Sequence, residues 1–147
     1  GGCTWSLSDC HPWVALSDDL LTASYVDGPR SNQTRLNGLA RATHGFDSGV
    51  HYWEITFPNT STTGSGYPSV GVVTDDCPLG GDAEFVIGGT HGKGWGFHTA
   101  QFDKVYAGSR SGWEGTSPVN SLKTYGLLLD MDKGELSLFV DGSNKGV

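Results

Sequence analysis

Cysteine is scarce in this chain, and cationic side chains are outnumbered by acidic ones. Only Cys3, Cys10 and Cys77 occur. Three thiols at irregular spacing make no disulfide framework, although a Cys3–Cys10 loop stays open to the sequence. A reducing compartment, cytoplasmic or nuclear, is therefore expected. The tripeptides Asn32-Gln33-Thr34 and Asn59-Thr60-Ser61 fit a glycosylation acceptor, but such patterns arise readily by chance in Ser/Thr-rich loops. The formal net charge is −7, and the nine Lys and Arg are scattered. No cluster of them is able to neutralise several neighbouring phosphates, which argues against a nucleic-acid partner. A basic patch for an anionic membrane is missing for the same reason. No window approaches the run of roughly 18 apolar residues that a membrane-spanning helix needs, and Gly1-Gly2-Cys3-Thr4 lacks the shape of a signal peptide.

Helical periodicity is also lacking. The nearest approach is residues 13–25, where Leu16-Ser17-Asp18-Asp19-Leu20-Leu21 suggests at most one turn, and the segment reads as strand, turn, strand. What the chain does have is 23 Gly set between short aromatic and β-branched runs, as a sandwich or barrel requires. Its 147 residues suit one domain, long enough to bury roughly 68–70% of its unfolded surface.

The clearest local signal lies in residues 125–147. Leu127, Leu128 and Leu129 form an apolar run, and Asp130-Met131-Asp132-Lys133-Gly134-Glu135 interrupts it. Strict alternation follows, with Leu136, Leu138 and Val140 on one face and Ser137 and Phe139 on the other, which is the period of a strand. Gly134 supplies left-handed backbone for a short hairpin loop, and Asp141-Gly142 suits a second tight turn. About ten short strands are expected, near 14–16, 23–25, 40–43, 50–57, 69–74, 95–99, 104–107, 125–130, 135–140 and 145–147. In 50–57, His51, Trp53, Ile55 and Phe57 make the better core stripe. Long polar loops separate the strands at 27–39, 58–68, 75–94 and 108–122, a length that is uncommon in loops without a task.

Catalytic chemistry finds little support. His11, His44, His51, His91 and His98 show no metal-ligand spacing, and a site from His91, His98 and Asp103 would need its loop to fold back. Gly88 through Gly94 fails the phosphate-loop pattern, because Ile87 and Gly94 stand where Gly and Ser or Thr are needed. There is no Gly-x-Ser-x-Gly elbow. Cys77 follows Asp75-Asp76, which would raise its pKa and blunt it as a nucleophile. Asp75-Asp76 and Asp130-x-Asp132 sit at turns, where Asp side chains bond their own backbone rather than calcium. No enzyme, no metal and no cofactor are expected.

The residues of the 125–147 stretch resemble the SPRY domain, in which an apolar strand ending in Leu-Asp, a Gly turn and Leu-Ser-Leu-Phe-Val-Asp-Gly follow one another. Phe46-Asp47-Ser48-Gly49-Val50-His51-Tyr52-Trp53-Glu54-Ile55 is similar to that family's Gly-x-x-Tyr-Trp-Glu strand. Val70-Gly71-Val72-Val73-Thr74 is similar to its Val-Gly-Val strand, and Gly94-Trp95-Gly96-Phe97 to its Trp-Gly strand. His11-Pro12 followed by Leu16-Ser17-Asp18-Asp19 resembles its N-terminal motif. Among subfamilies, the run from Pro78-Leu79 through Trp95-Gly96 and the Leu-Asp-Met-Asp segment look most like SPRY domains that carry a SOCS box.

The resemblance implies an all-β, two-layer antiparallel β-sandwich with a concanavalin-like jelly-roll outline. It also implies that the chain stops at Val147 before the family's last strands, as a C-terminally truncated single domain would. A non-enzymatic module that binds a protein or peptide through its loops is implied, as the substrate-reading part of a ubiquitin ligase. No RING, SOCS or F-box segment stands within these residues. Carried over by alignment, the peptide pocket falls near Arg30 and Arg35, Gly66 and Tyr67, and Glu84 and Phe85. Gly66 stands where the relatives have Thr, and Glu84 where they have Tyr. An acidic, Asn-rich peptide would be repelled by Glu84, so a basic or neutral one suits better. Tyr67 and Trp113 are the loop aromatics expected to anchor it, although an aromatic near Trp113 is often packed. Arg110 is a further polar contact, whereas Trp5, Trp13, Trp53 and Trp95 read as core or near-core. Two other readings remain open: a carbohydrate-binding sandwich stacking sugars on Tyr67 or Trp113, and a structural module completed by another chain.

Overall fold

The computed structural model describes residues 3–12, 14–25, 37–57, 69–81, 87, 89–98, 103–112 and 123–147. Every regular element among them is a strand. In chain order these are β1 (Trp5–Cys10), β2 (Val14–Leu16), β3 (Ala23–Tyr25), β4 (Asn37–Gly38), β5 (Ala40–Ala42), β6 (Val50–Phe57) and β7 (Ser69–Val73). They continue as β8 (Gly80–Gly81), β9 (Gly94–His98), β10 (Asp103–Tyr106), β11 (Ser109–Gly112), β12 (Lys123–Asp130), β13 (Glu135–Val140) and β14 (Ser143–Gly146). One four-stranded sheet has the order β14-β13-β12-β6 and the other β11-β10-β9-β7. All pairs are antiparallel, and the short ribbons β1-β5, β2-β3 and β4-β8 complete the described structure. The β class agrees with the alternation in 50–57 and 135–140, and the two antiparallel sheets with the sandwich that the resemblance implies.

Turn chemistry sets the register of the first sheet. Between β12 and β13, Asp130 Oδ1 accepts the backbone N–H groups of Asp132 at 3.1 Å and Lys133 at 3.0 Å. Gly134 then takes φ +68°, the left-handed geometry that closes the hairpin. Asp132 Oδ1 accepts the Gly49 N–H at 3.2 Å, so Asp130 bonds its own turn as expected while Asp132 bonds the backbone just before β6 instead. Between β13 and β14, Asp141 and Gly142 take φ +48° and +84°, the mirror-image turn that matches strand twist.

Two cores share the second sheet, one on each face. Between the sheets, Val70, Phe97, Tyr125, Leu127, Leu138 and Val140 are buried, with Trp53, Ile55 and Leu136 against them. Trp53 pairs with Leu127 and Ile55 with Tyr125, so these two residues of the stripe expected on β6 face inward. On the opposite face, Val105 meets Leu39, Cys77 and Ile87, flanked by Val73 and Leu79. Gly71 and Gly96, paired across β7 and β9, form the floor of that second core. A Cβ at Gly96 would overlap Ile87 Cγ2 and the Val70 carbonyl, and one at Gly71 would overlap the Trp95 carbonyl. Arg41 fastens the periphery, donating from Nη1 to the carbonyls of Thr74 (2.8 Å) and Asp75 (2.6 Å) and pairing with Asp9 at 3.1 Å.

Several strands were not expected. In β1 the usual pattern is inverted, with Ser6 buried and Leu7 72% exposed, so hydrophobicity alone hides it. β4 and β8 are two residues each and mostly glycine, and β11 is the polar run Ser109-Arg110-Ser111-Gly112 at a sheet end. These three lie inside the stretches 27–39, 75–94 and 108–122 that read as loop. The Cys3–Cys10 loop that the sequence left open does not form, since all three cysteines are free. Trp95, read as core or near-core like Trp13, which lies outside the described residues, is 41% exposed and stacked on Tyr106, with ring centroids 5.1 Å apart and planes 7° apart. Its place near the end of the β7-β9-β10 row leaves it beyond the inner core.

Candidate recognition surface

All seven expected site residues, Arg30, Arg35, Gly66, Tyr67, Glu84, Phe85 and Trp113, lie outside the described residues. What the structure shows is where the chain enters and leaves those segments. Asn37 pairs with Gly81, so the end of 26–36 and the start of 82–86 are adjacent in space. Phe57 pairs with Lys123, which brings the start of 58–68 beside the end of 113–122. In the other sheet, Ser69, His98, Asp103 and Gly112 form one row across four strands. That row carries the other ends of 58–68 and 113–122. The described residues that flank both segments therefore lie at the same end of the sandwich.

Among the described residues, charge at this end is modest. Arg110 on β11 lies 3.9 Å from the Asp103 carboxylate, with its side chain part-exposed, so it is an ion-paired edge residue. His98 is buried, and Asp103 is mostly shielded. The residues read as poor candidates for catalysis are held in structural contacts. Asp76 accepts from Thr74 Oγ1 at 2.6 Å and pairs with Lys93 at 2.9 Å. Those two contacts, the hydroxyl first, hold its pKa down at about 2. The Cys77 thiol is pushed up first by burial, against the opposing pull of Arg41 and Lys93, with the Asp76 carboxylate a smaller contributor. The direction agrees with the Asp-Asp-Cys sequence, but the main cause is the second core. His51 stacks on Phe46 with centroids 3.6 Å apart, and its Nε2 lies 2.7 Å from the Ser48 carbonyl. Among the described residues, no three His, Cys, Asp or Glu side chains gather as a metal site would require.

Sequence reasoning passed over the outer face of the first sheet. Tyr52 is 50% exposed there, its ring edge-on to Phe139 at 5.9 Å and 88°, and its hydroxyl donates to Glu54 at 2.9 Å. The signal was present, because alternation puts both rings on the faces opposite the core stripes.

In rigid β-sandwiches, binding residues are disproportionately found on the connecting loops. The particular family follows from comparison: the SPRY domain model matches residues 50–147, and the chain belongs to that family. SPRY domains are generally non-enzymatic modules of protein–protein interaction. The matched span holds the Tyr-Trp-Glu, Val-Gly-Val, Trp-Gly and Val-Asp-Gly strands, whereas His11-Pro12 and Leu16 to Asp19 precede it. No curated protein matches the chain.

Proposed function

We propose that residues 1–147 act as a single intracellular module, cytoplasmic or nuclear, that reads a peptide segment of a protein partner through its loops. In this reading it is the substrate-reading part of a ubiquitin ligase, as the likeness to SOCS-box SPRY domains suggests. The observation that carries it is the pair of strand contacts Asn37–Gly81 and Phe57–Lys123. The first supports a joint surface from the segments bearing Arg30, Arg35, Glu84 and Phe85. The second supports one from the segments bearing Gly66, Tyr67 and Trp113. With Glu84 in place of the relatives' Tyr, the preferred peptide is basic or neutral. The test is a pull-down from lysate of the source organism with the wild-type domain, Glu84→Arg and Tyr67→Ala. A partner retained by wild type and lost from either variant supports the loop surface. A partner held equally by all three removes it.

A second reading, glycan binding, is favoured by Trp95 and Tyr106, whose stacked rings remain 41% and 45% exposed. A glycan array with no hits for the folded domain, or hits unchanged by Trp95→Ala, excludes it.

A further inference from the structure

The outer face of the β14-β13-β12-β6 sheet carries an apolar centre between acidic ends. Register defines its rows: Val50, Asp130 and Glu135; then Tyr52, Leu128 and Ser137; then Glu54, Gly126, Phe139 and Asn144. Val50 and Tyr52 are 55% and 50% exposed, and Phe139 and Leu128 are half-buried beside them. A solvent-facing sheet is ordinarily polar at such positions, so four neighbouring large apolar side chains call for a cover. Glu54 and Glu135 are exposed, and no Lys or Arg stands on these three rows among the described residues. Lys133 lies in the adjoining turn, beside Asp132 and Asp130.

The spacing selects the occupant. Glu54 is four residues from Val50, whose row carries Asp130 and Glu135, so the acidic ends are roughly 13 Å apart along the strands. An extended peptide laid along β6 spans that distance in four residues, with its central side chain over Tyr52 and Leu128. We propose that this face docks a basic segment of a protein partner, with cationic residues at positions i and i+4 and an apolar residue at i+2. The cation near Glu54 also meets the Tyr52 ring, whose face attracts a guanidinium. The same acids repel phosphate, which excludes nucleic acid and anionic membrane, and they repel a second copy of this face. The surface is separate from the loop ends and stands whether or not the loops read a peptide.

The probe is a fluorescein-labelled pentapeptide with Arg at its first and fifth positions and Leu at its third, followed by fluorescence anisotropy on the full chain. Glu54→Lys combined with Glu135→Lys is expected to weaken binding by about tenfold or more. Asp18→Lys combined with Asp75→Lys, an equal charge change at exposed turns away from this face, is expected to change it less than about twofold. Tyr52→Phe keeps the ring and is expected to keep binding, which separates ring contact from the hydroxyl bond to Glu54. Circular dichroism on each variant confirms folding. The proposal is overturned by no binding, by equal losses in the variant carrying Asp18→Lys and Asp75→Lys, by equal binding of a peptide with Glu replacing both Arg, or by loss in Glu84→Arg alone.

Discussion

The phenol of Tyr52 lies directly over Gly126 on the neighbouring strand, filling the space that a Cβ at 126 would occupy. The two positions sit on adjacent strands of one face, Gly126 opposite Glu54 and Leu128 opposite Tyr52. Gly126→Ala is therefore expected to displace the ring and cost about 1–3 kcal/mol, the range for forcing extra atoms into filled space. Urea unfolding measures this directly. With Tyr52→Ala in the background the clash disappears, so the cycle is expected to be strongly non-additive. Additive losses would mean that the ring moves aside freely.

Ile87 and Gly96 make the corresponding contact in the second core. Gly96→Ala is expected to destabilise by about 1–3 kcal/mol, because both Ile87 and the Val70 carbonyl already occupy the site. Gly134→Ala contrasts usefully: nothing lies within 4 Å of a Cβ there, and only the left-handed φ of +68° opposes it. Its cost, about 1 kcal/mol, is expected to come from backbone strain alone. Chemical denaturation of the two variants side by side checks the ranking.

Acid is expected to loosen the link between Asp76 and Lys93. The carboxyl is held at about 2 by Thr74 and Lys93, below its ordinary value. A depressed carboxylate stabilises the fold above its unfolded pKa, and that contribution fades as pH falls from about 4 through 2. Thermal melts between pH 6 and pH 2 are expected to show a smaller acid-dependent loss in Asp76→Asn than in wild type. An identical pH slope in the two proteins would show that the Thr74 and Lys93 contacts do not couple to folding.

Alkali tests the main core. Burial, with a smaller push from the Asp141 carboxylate, raises the Tyr125 phenol to about 12. Its raised pKa favours the folded state below about 10, and this contribution is lost as pH climbs from about 10 to about 12. Absorbance titration of tyrosinate is expected to show one group ionising late, missing in Tyr125→Phe. Tyr52 is also raised, first by its hydrogen bond to Glu54, and Glu54→Gln is expected to bring it back down. No late-ionising tyrosine in the folded protein would count against this packing.

Much of the sheet structure was legible before any fold was known. Strands such as β6 and β13 alternate strictly because one face is buried, so periodicity reports burial directly. Asp141-Gly142 and Gly134 were readable because left-handed backbone admits few residues. The family resemblance rested on those same strands and agrees with the matched span. Strands β1, β4, β8 and β11 were hidden because their pairing owes nothing to an apolar stripe. Ser6 is buried in β1 where Leu7 is not, and β4 and β8 have almost no side chains to pattern.

What the sequence determined by itself was the β class, the alternating faces of β6 and β13 and the two tight turns, since all three follow from chemistry local to a few residues. Tertiary structure alone decided that the second sheet buries both faces, because Ile87 reaches over Gly96 from a distant connection. It alone decided that Trp95 stacks on Tyr106 at the margin of the core rather than inside it. Likewise, the meeting of Tyr52, Phe139 and Gly126 comes from three strands whose register no single segment encodes. Side-chain pattern records which way a residue faces, and only the pairing of distant strands settles what it faces.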